Sequence, residues 1–67
     1  PEEQISEEDY FKKSNEFKAW LLESKRTAFE TLTSEESHAY FNKFVKYWNR
    51  GDLSSMYYTG NLPEVQS

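Results

Sequence analysis

Positive charge and aromatic rings are interleaved between positions 40 and 50 of this 67-residue chain. On a helix, at about 100° per residue, the three cations of this stretch share one face and two tyrosines lie along its flank. Cations beside aromatic rings can hold phosphates while bases stack on the rings. The same surface can bind an acidic, aromatic peptide, or it can be a solvated helix face without a partner. This basic/aromatic face consists of Tyr40, Lys43, Lys46, Tyr47 and Arg50.

A second set of large side chains exceeds what a small interior is expected to bury. Trp and Tyr are favoured anchors of protein interfaces, and a groove beside the first helix can accept an amphipathic helix or a short linear motif. The same residues can instead form a homodimer seam, or the C-terminal turn can cover them. The predicted partner groove consists of Phe11, Trp20, Leu22, Tyr57 and Tyr58.

Catalytic and metal-binding patterns do not stand out in the sequence. His38 is the single histidine, and it lacks the two or three further ligands at compatible spacing that a metal site needs. The sequence offers no nucleophile–base pair, no glycine-rich phosphate loop and no isolated carboxylate pair. We therefore predict that the chain is not an enzyme and takes no metal and no cofactor.

The charge is distributed unevenly along the chain. Residues 1–9 carry five acidic residues and no basic one, whereas the remainder carries eight basic and seven acidic residues. A folded part that is nearly neutral argues against a general nucleic-acid binder of high charge. A protein or peptide partner is therefore favoured over nucleic acid, which remains the alternative.

Length and composition limit the kind of protein further. A chain of 67 residues is one domain at most, and because it begins with Pro1 rather than Met we expect it to be part of a larger protein. The absence of cysteine favours an intracellular setting, nuclear or cytoplasmic. No apolar run is long enough to span a bilayer, so we expect no membrane partner.

The clearest element is a helix between Thr33 and Gly51. Thr33 and Glu36 have the spacing of a capping box, and Gly51 suits the left-handed residue that commonly follows a helix. Apolar residues within this stretch recur at the spacing of a buried stripe. The stripe consists of Phe41, Phe44, Val45 and Trp48.

The first helix is predicted over roughly Glu7–Glu23, with Ser6 as its N-cap and carboxylates in its first turn. Lys18 and Lys25 would fall near the middle of its apolar face if the helix continued to residue 31. We therefore predict a break near residues 24–27 and a shorter helical piece over residues 26–31. An unbroken helix is the alternative, because no glycine or proline marks the break.

These elements predict an all-α fold: a small helical hairpin closed by a short C-terminal helix, or a mini-bundle of three to four helices. Residues 1–5 are predicted to be an acidic, solvated lead-in, residues 6–60 the single helical domain, and residues 61–67 a tail. The first helix and the Thr33–Gly51 helix are expected to be antiparallel, because the link between them is short. The predicted core consists of Tyr10, Phe17, Leu21, Ala28, Leu32, Phe41, Phe44, Val45, Trp48 and Leu53.

The functional hypothesis is a non-catalytic protein-interaction module of a larger intracellular protein. It would bind a peptide or helical partner through its surface aromatics. The alternative is a module that contacts RNA through the basic/aromatic face.

Overall fold

The structure is a computed structural model that describes residues 3–60 and 62. Within these residues it contains three α-helices and no strand: α1 (Ser14–Lys25), α2 (Ser34–Arg50) and α3 (Ser55–Thr59). Two short 3₁₀ turns, Glu7–Asp9 and Phe29–Thr31, lie before and after α1. The predicted fold class, a small all-α bundle of three to four helices, is confirmed.

The helix α2 begins and ends where its sequence signals predicted. The Thr33 hydroxyl accepts a hydrogen bond from the Glu36 N–H at 3.1 Å, and the Glu36 carboxylate accepts one from the Thr33 N–H at 2.9 Å. At the other end, Gly51 has φ 77° and its N–H donates to the Trp48 carbonyl at 3.1 Å. Both signals are local, because each joins residues within one turn of the helix end.

The helix α1 begins seven residues later than the predicted Glu7 start. Ser6 does accept from the Glu8 N–H and caps a helical segment, but that segment is only the 3₁₀ turn Glu7–Asp9. At Lys13 the backbone has φ −106° and ψ 20°, outside the helical range, and α1 starts after it. Tyr10 lies between the two segments, where its ring stacks on His38, and its hydroxyl hydrogen-bonds the Ser37 hydroxyl. These contacts with α2 favour a turn over a continuous helix at residues 10–13.

The predicted break after α1 is confirmed. The helix ends at Lys25, and Arg26 adopts a left-handed conformation with φ 53° and ψ 38°. The chain then doubles back, because Phe29 already packs edge-on against Phe17 at 6.2 Å between ring centroids. Of the predicted helical piece over residues 26–31, only the 3₁₀ turn Phe29–Thr31 is helical.

We expect Arg26→Gly to stabilise the chain by about 1 kcal/mol, since a side chain in the left-handed region costs ~1–2 kcal/mol that glycine avoids. For a domain of this size, that corresponds to a rise in melting temperature of about 4–8 °C, measurable by circular dichroism. Lys46→Gly is the matched control: it places glycine within right-handed α2 and should destabilise the chain by about 1 kcal/mol. A melting temperature that falls in Arg26→Gly would contradict this account of the turn.

The helix α1 packs against α2 through aromatic rings. Phe17 packs against Phe41 at 5.2 Å, and Trp20, one turn further along α1, packs against Phe44 at 5.5 Å and Tyr47 at 6.1 Å. Just before α1, the Lys13 ammonium lies 5.0 Å from the centroid of the Trp48 ring, near the end of α2.

The lead-in before the first 3₁₀ turn is part of the fold, contrary to the prediction of a solvated segment. Ile5 is 5% exposed. Its N–H donates to Asn49 Oδ1 at 2.8 Å, and its carbonyl accepts from Asn49 Nδ2 at 2.9 Å. The Glu3 carbonyl accepts from Trp48 Nε1 at 2.8 Å. We call residues 3–5 the N-terminal strap; the acidic residues at positions 1 and 2 lie outside the described residues.

The core is built from aromatic rings of α1 and α2, and it differs from the predicted core at both ends of the chain. Tyr10, Leu32, Val45 and Leu53 are only partly buried, although they pack against the core, and Ala28 is half-buried. Leu62, in the predicted tail, also packs against it; residue 61 and residues 63–67 are outside the described residues. The buried apolar residues are Ile5, Phe17, Ala19, Trp20, Leu21, Phe41, Phe44, Trp48 and Tyr57.

Candidate functional site: an aromatic cleft between α1 and α3

A cleft of about 430 Å³ opens between the C-terminal half of α1, the end of α2 and the start of α3. Its volume lies within the range of ligand-binding clefts, about 300–1,000 Å³, and fits one or two side chains of a partner. We call it the aromatic cleft. Its rings and apolar groups come from Trp20, Tyr47, Leu53, Met56 and Tyr57, and its charged groups from Glu23, Lys25 and Asp52.

The turn after α2 places α3 over the end of α1. Gly51 and Asp52 close α2 with a Schellman motif, in which the Asp52 N–H donates to the Tyr47 carbonyl at 3.0 Å. Tyr58 then holds the turn, since its hydroxyl donates to the Trp48 carbonyl at 3.0 Å and accepts from the Leu53 N–H at 3.3 Å. This turn carries Tyr57 into the core against Phe44, at 6.5 Å between ring centroids.

The aromatic side chains of the cleft differ sharply in exposure. Trp20 is 3% exposed and Tyr57 4%, so both are core residues of which only a small part is exposed in the cleft. Tyr47 is 37% exposed and forms an outer wall. The exposed Lys25 lies over the Trp20 ring, with its ammonium 5.7 Å from the ring centroid. Lys25 therefore covers part of the ring that lines the cleft.

The charged groups give the cleft an excess of negative charge. Glu23 and Asp52 are exposed and line it with two carboxylates, against the single ammonium of Lys25. Burial and, to a lesser extent, the nearby Glu23 carboxylate raise the pKa of the Tyr57 hydroxyl above its usual value of 10.0. Tyr57 is therefore a neutral hydrogen-bonding group at physiological pH, and none of the described residues hydrogen-bonds its hydroxyl.

The five residues of the predicted partner groove do not line one surface. Trp20 and Tyr57 meet in the aromatic cleft, and Tyr57 also lines a second cleft with Tyr58, on the side of the N-terminal strap. Phe11, 84% exposed, and Leu22, 39% exposed, line neither cleft. The prediction from helical periodicity placed these residues on one surface, because periodicity takes no account of the turns at residues 10–13 and after Gly51.

The basic/aromatic face lies on α2 as predicted. Lys43, Lys46 and Arg50 are exposed, and Tyr40 is half-buried beneath the Lys43 ammonium, 5.7 Å from its ring centroid. No described carboxylate lies within ion-pair distance of the three cations. Tyr47 belongs both to this face and to the aromatic cleft, so the two surfaces adjoin.

His38 is exposed near the start of α2 and stacks on Tyr10, with 4.3 Å between ring centroids. Across residues 3–60 and 62, no three side chains of His, Cys, Asp or Glu come together as metal ligands. In the same part of the chain, the helices are too short or too polar to cross a membrane.

Sequence reasoning missed the charged residues of the cleft. Lys25 was predicted to fall near the apolar face of a continuous first helix, and no spacing along one helix links Glu23 with Asp52. Only the turn after Gly51, which brings two distant segments of the chain together, places Asp52 and Glu23 in one cleft.

Comparison with known proteins gives the chain a family. The sequence model of the Style cell-cycle inhibitor 1-like helix hairpin domain matches residues 21–58, a range that holds every named residue of the aromatic cleft except Trp20. Style cell-cycle inhibitor 1 of Arabidopsis thaliana is 56% identical over 57 residues, which cover 85% of this chain and 36% of that protein.

Two tobacco proteins give a similar match. Style cell-cycle inhibitors 1-B and 1-A of Nicotiana tabacum are each 47% identical over 58 residues, which cover 87% of this chain and 37% and 38% of those proteins. The chain thus spans little more than a third of the length of these curated relatives, and no solved structure matches it. Because the family's sequence model matches more than half of its residues, the chain belongs to the Style cell-cycle inhibitor 1-like helix hairpin domain family.

Proposed function

We propose that this chain is a non-catalytic protein-interaction module of a cell-cycle regulator, acting inside the cell in the nucleus or cytoplasm. The regulatory role is suggested by the names of its relatives, which are cell-cycle inhibitors. The observation that carries the binding role is the aromatic cleft. It combines the exposed Tyr47, the core rings of Trp20 and Tyr57, and polar groups at its margin.

The chemistry of the cleft supports a peptide or helical segment as its occupant. Interfaces are anchored by Trp, Tyr and Arg side chains in desolvated pockets, and helix-in-groove recognition places one or two anchors of this kind. Because Trp20 and Tyr57 are held by the core, the cleft is preorganised, which lowers the entropic cost of binding.

A photo-crosslinking residue at Ser54, which is exposed and lines the cleft, tests the proposal in extracts of dividing Arabidopsis cells. The matched control carries the same residue at Glu30, which is exposed and outside the cleft. We expect a defined protein to be captured from position 54 and not from position 30. That protein, once purified, should shift the amide signals of the cleft residues in titrations. Equal capture at both positions, or shifts confined to another surface, would contradict the proposal.

RNA binding by the basic/aromatic face is the second candidate function, favoured by three exposed cations that no described carboxylate pairs. Titration with a short single-stranded RNA tests it, because each phosphate contact makes affinity fall steeply with salt. For this candidate we expect shifts at Lys43 and Tyr47 that vanish at high salt and in the Lys43→Gln/Lys46→Gln variant. A lack of RNA-dependent shifts at low salt would exclude it.

A further inference from the structure

The aromatic cleft already holds a positive charge against its tryptophan. The Lys25 ammonium lies 5.7 Å from the centroid of the Trp20 ring, within the range of a cation–π interaction. Lys25 is exposed, and no described carboxylate lies within ion-pair distance of its ammonium. The Trp20 ring is thus covered by the Lys25 ammonium, and no described ion pair holds this ammonium in place.

The groups around that ring favour a cation from outside the chain. The cleft contains two carboxylates and one ammonium, so it remains negatively charged with Lys25 in place. Neither Glu23 nor Asp52 lies within ion-pair distance of a described cation. The Tyr57 hydroxyl is available as a hydrogen-bond acceptor, and Leu53 and Met56 offer an apolar wall for the stem of a long side chain.

We propose that the cleft binds an arginine side chain of a basic segment in the partner protein. Its guanidinium would displace Lys25 from the Trp20 ring and pair with Glu23 and Asp52. Arginine suits this site better than lysine, because its planar guanidinium stacks on aromatic rings and donates several hydrogen bonds to carboxylates at once. This inference rests on the proposed function of the cleft as the partner site.

In this arrangement Lys25 is an internal competitor for the site. A partner arginine must displace its ammonium, so removal of Lys25 should strengthen binding. If Lys25 had a purely structural role, its removal would not raise the affinity for the partner. The affinity measured without Lys25 therefore distinguishes the two roles.

Three synthetic heptapeptides test the proposal with the 67-residue chain labelled with ¹⁵N. Each is acetylated and amidated, with leucine and glycine around a central residue that is arginine, its neutral isostere citrulline, or glutamate. We expect the arginine peptide to shift the Trp20 indole and the Glu23, Asp52 and Tyr57 amide signals. Its affinity should exceed that of the citrulline peptide about fivefold to tenfold, as two partly exposed charge pairs imply, and the glutamate peptide should bind least.

Variants of exposed residues complete the test, since they leave the core intact. Glu23→Gln/Asp52→Asn should weaken binding of the arginine peptide about fivefold to tenfold, whereas Glu30→Gln/Glu35→Gln, with the same change in net charge outside the cleft, should leave it unchanged. Lys25→Ala should strengthen it about threefold, the scale of an exposed cation–π contact.

The outcomes separate this inference from the proposed function. If arginine and citrulline peptides bind the cleft equally well, the cleft takes a peptide but not through a cation, and only the arginine proposal is overturned. The same holds if no peptide shifts the cleft while crosslinking from position 54 still captures a protein. If capture from position 54 also fails to exceed capture from position 30, the cleft is not the partner site.

Discussion

Phe44→Ala is expected to leave the domain largely unfolded at 37 °C. Phe44 is 0% exposed and packs against five other rings of the core, those of Phe17, Trp20, Phe41, Trp48 and Tyr57. Truncation of a buried phenylalanine to alanine costs ~3–5 kcal/mol. That loss is comparable to the ~3–5 kcal/mol of net stability that a core of this size supplies.

Urea unfolding followed by circular dichroism and tryptophan fluorescence checks this expectation. Lys43→Ala is the control, because it changes the neighbouring, exposed residue of the same helix and should alter the free energy of unfolding by less than about 0.5 kcal/mol. If Phe44→Ala unfolded at the same urea concentration as the parent chain, the core would not be centred on α2 as the structure places it.

Asn49→Ala is expected to release the N-terminal strap and to lower the free energy of unfolding by about 2–3 kcal/mol. The Asn49 side chain pairs with both the N–H and the carbonyl of Ile5, at 2.8 and 2.9 Å. Each lost hydrogen bond costs ~0.5–1.5 kcal/mol, and a buried group left without a partner costs more. The ion pairs of the strap compensate little, because the Glu3 carboxylate lies at 3.9 and 3.8 Å from Lys12 and Lys13 and is itself exposed.

The indole N–H of Trp48 reports on the strap directly, since it donates to the Glu3 carbonyl at 2.8 Å. Its hydrogen exchange should accelerate in Asn49→Ala. Asn42→Ala is the matched control: Asn42 lies on the same helix, but it is exposed and its side chain makes no hydrogen bond with the described residues. Unchanged exchange of the Trp48 indole in Asn49→Ala would show that the strap is held by other contacts.

The strap also shows why the prediction from sequence failed for this segment. Ile5 hydrogen-bonds Asn49, which lies 44 positions further along the chain, and Glu3 hydrogen-bonds Trp48, which lies 45 positions further along. No local sequence pattern predicts a hydrogen bond between an asparagine side chain and a distant backbone group. An acidic segment with one isoleucine was therefore predicted to be solvated. Burial of Ile5 becomes favourable only once the end of α2 provides both an apolar surface and the Asn49 amide.

The candidate site shows the same limit of prediction from local sequence patterns. The basic/aromatic face was predicted from spacing on one helix, and its three cations are exposed together. The aromatic cleft combines residues of three elements, so its membership depends on the turn after Gly51 and on the packing of α1 against α2. Trp20 and Tyr57 were predicted as surface anchors, but packing against Phe44 makes them core residues that are almost completely buried where they line the cleft.

The sequence by itself determined the local features of this protein: the all-α class, the capping box of Thr33 and Glu36, the stop at Gly51 and the break near Arg26. Each depends on interactions within a few residues, which propensity and spacing capture. Only the tertiary structure decided where α1 begins, that the strap belongs to the core, and which charged groups share a cleft with Trp20. Those features depend on contacts between segments distant in the chain, and their free energy exists only when the whole domain is folded.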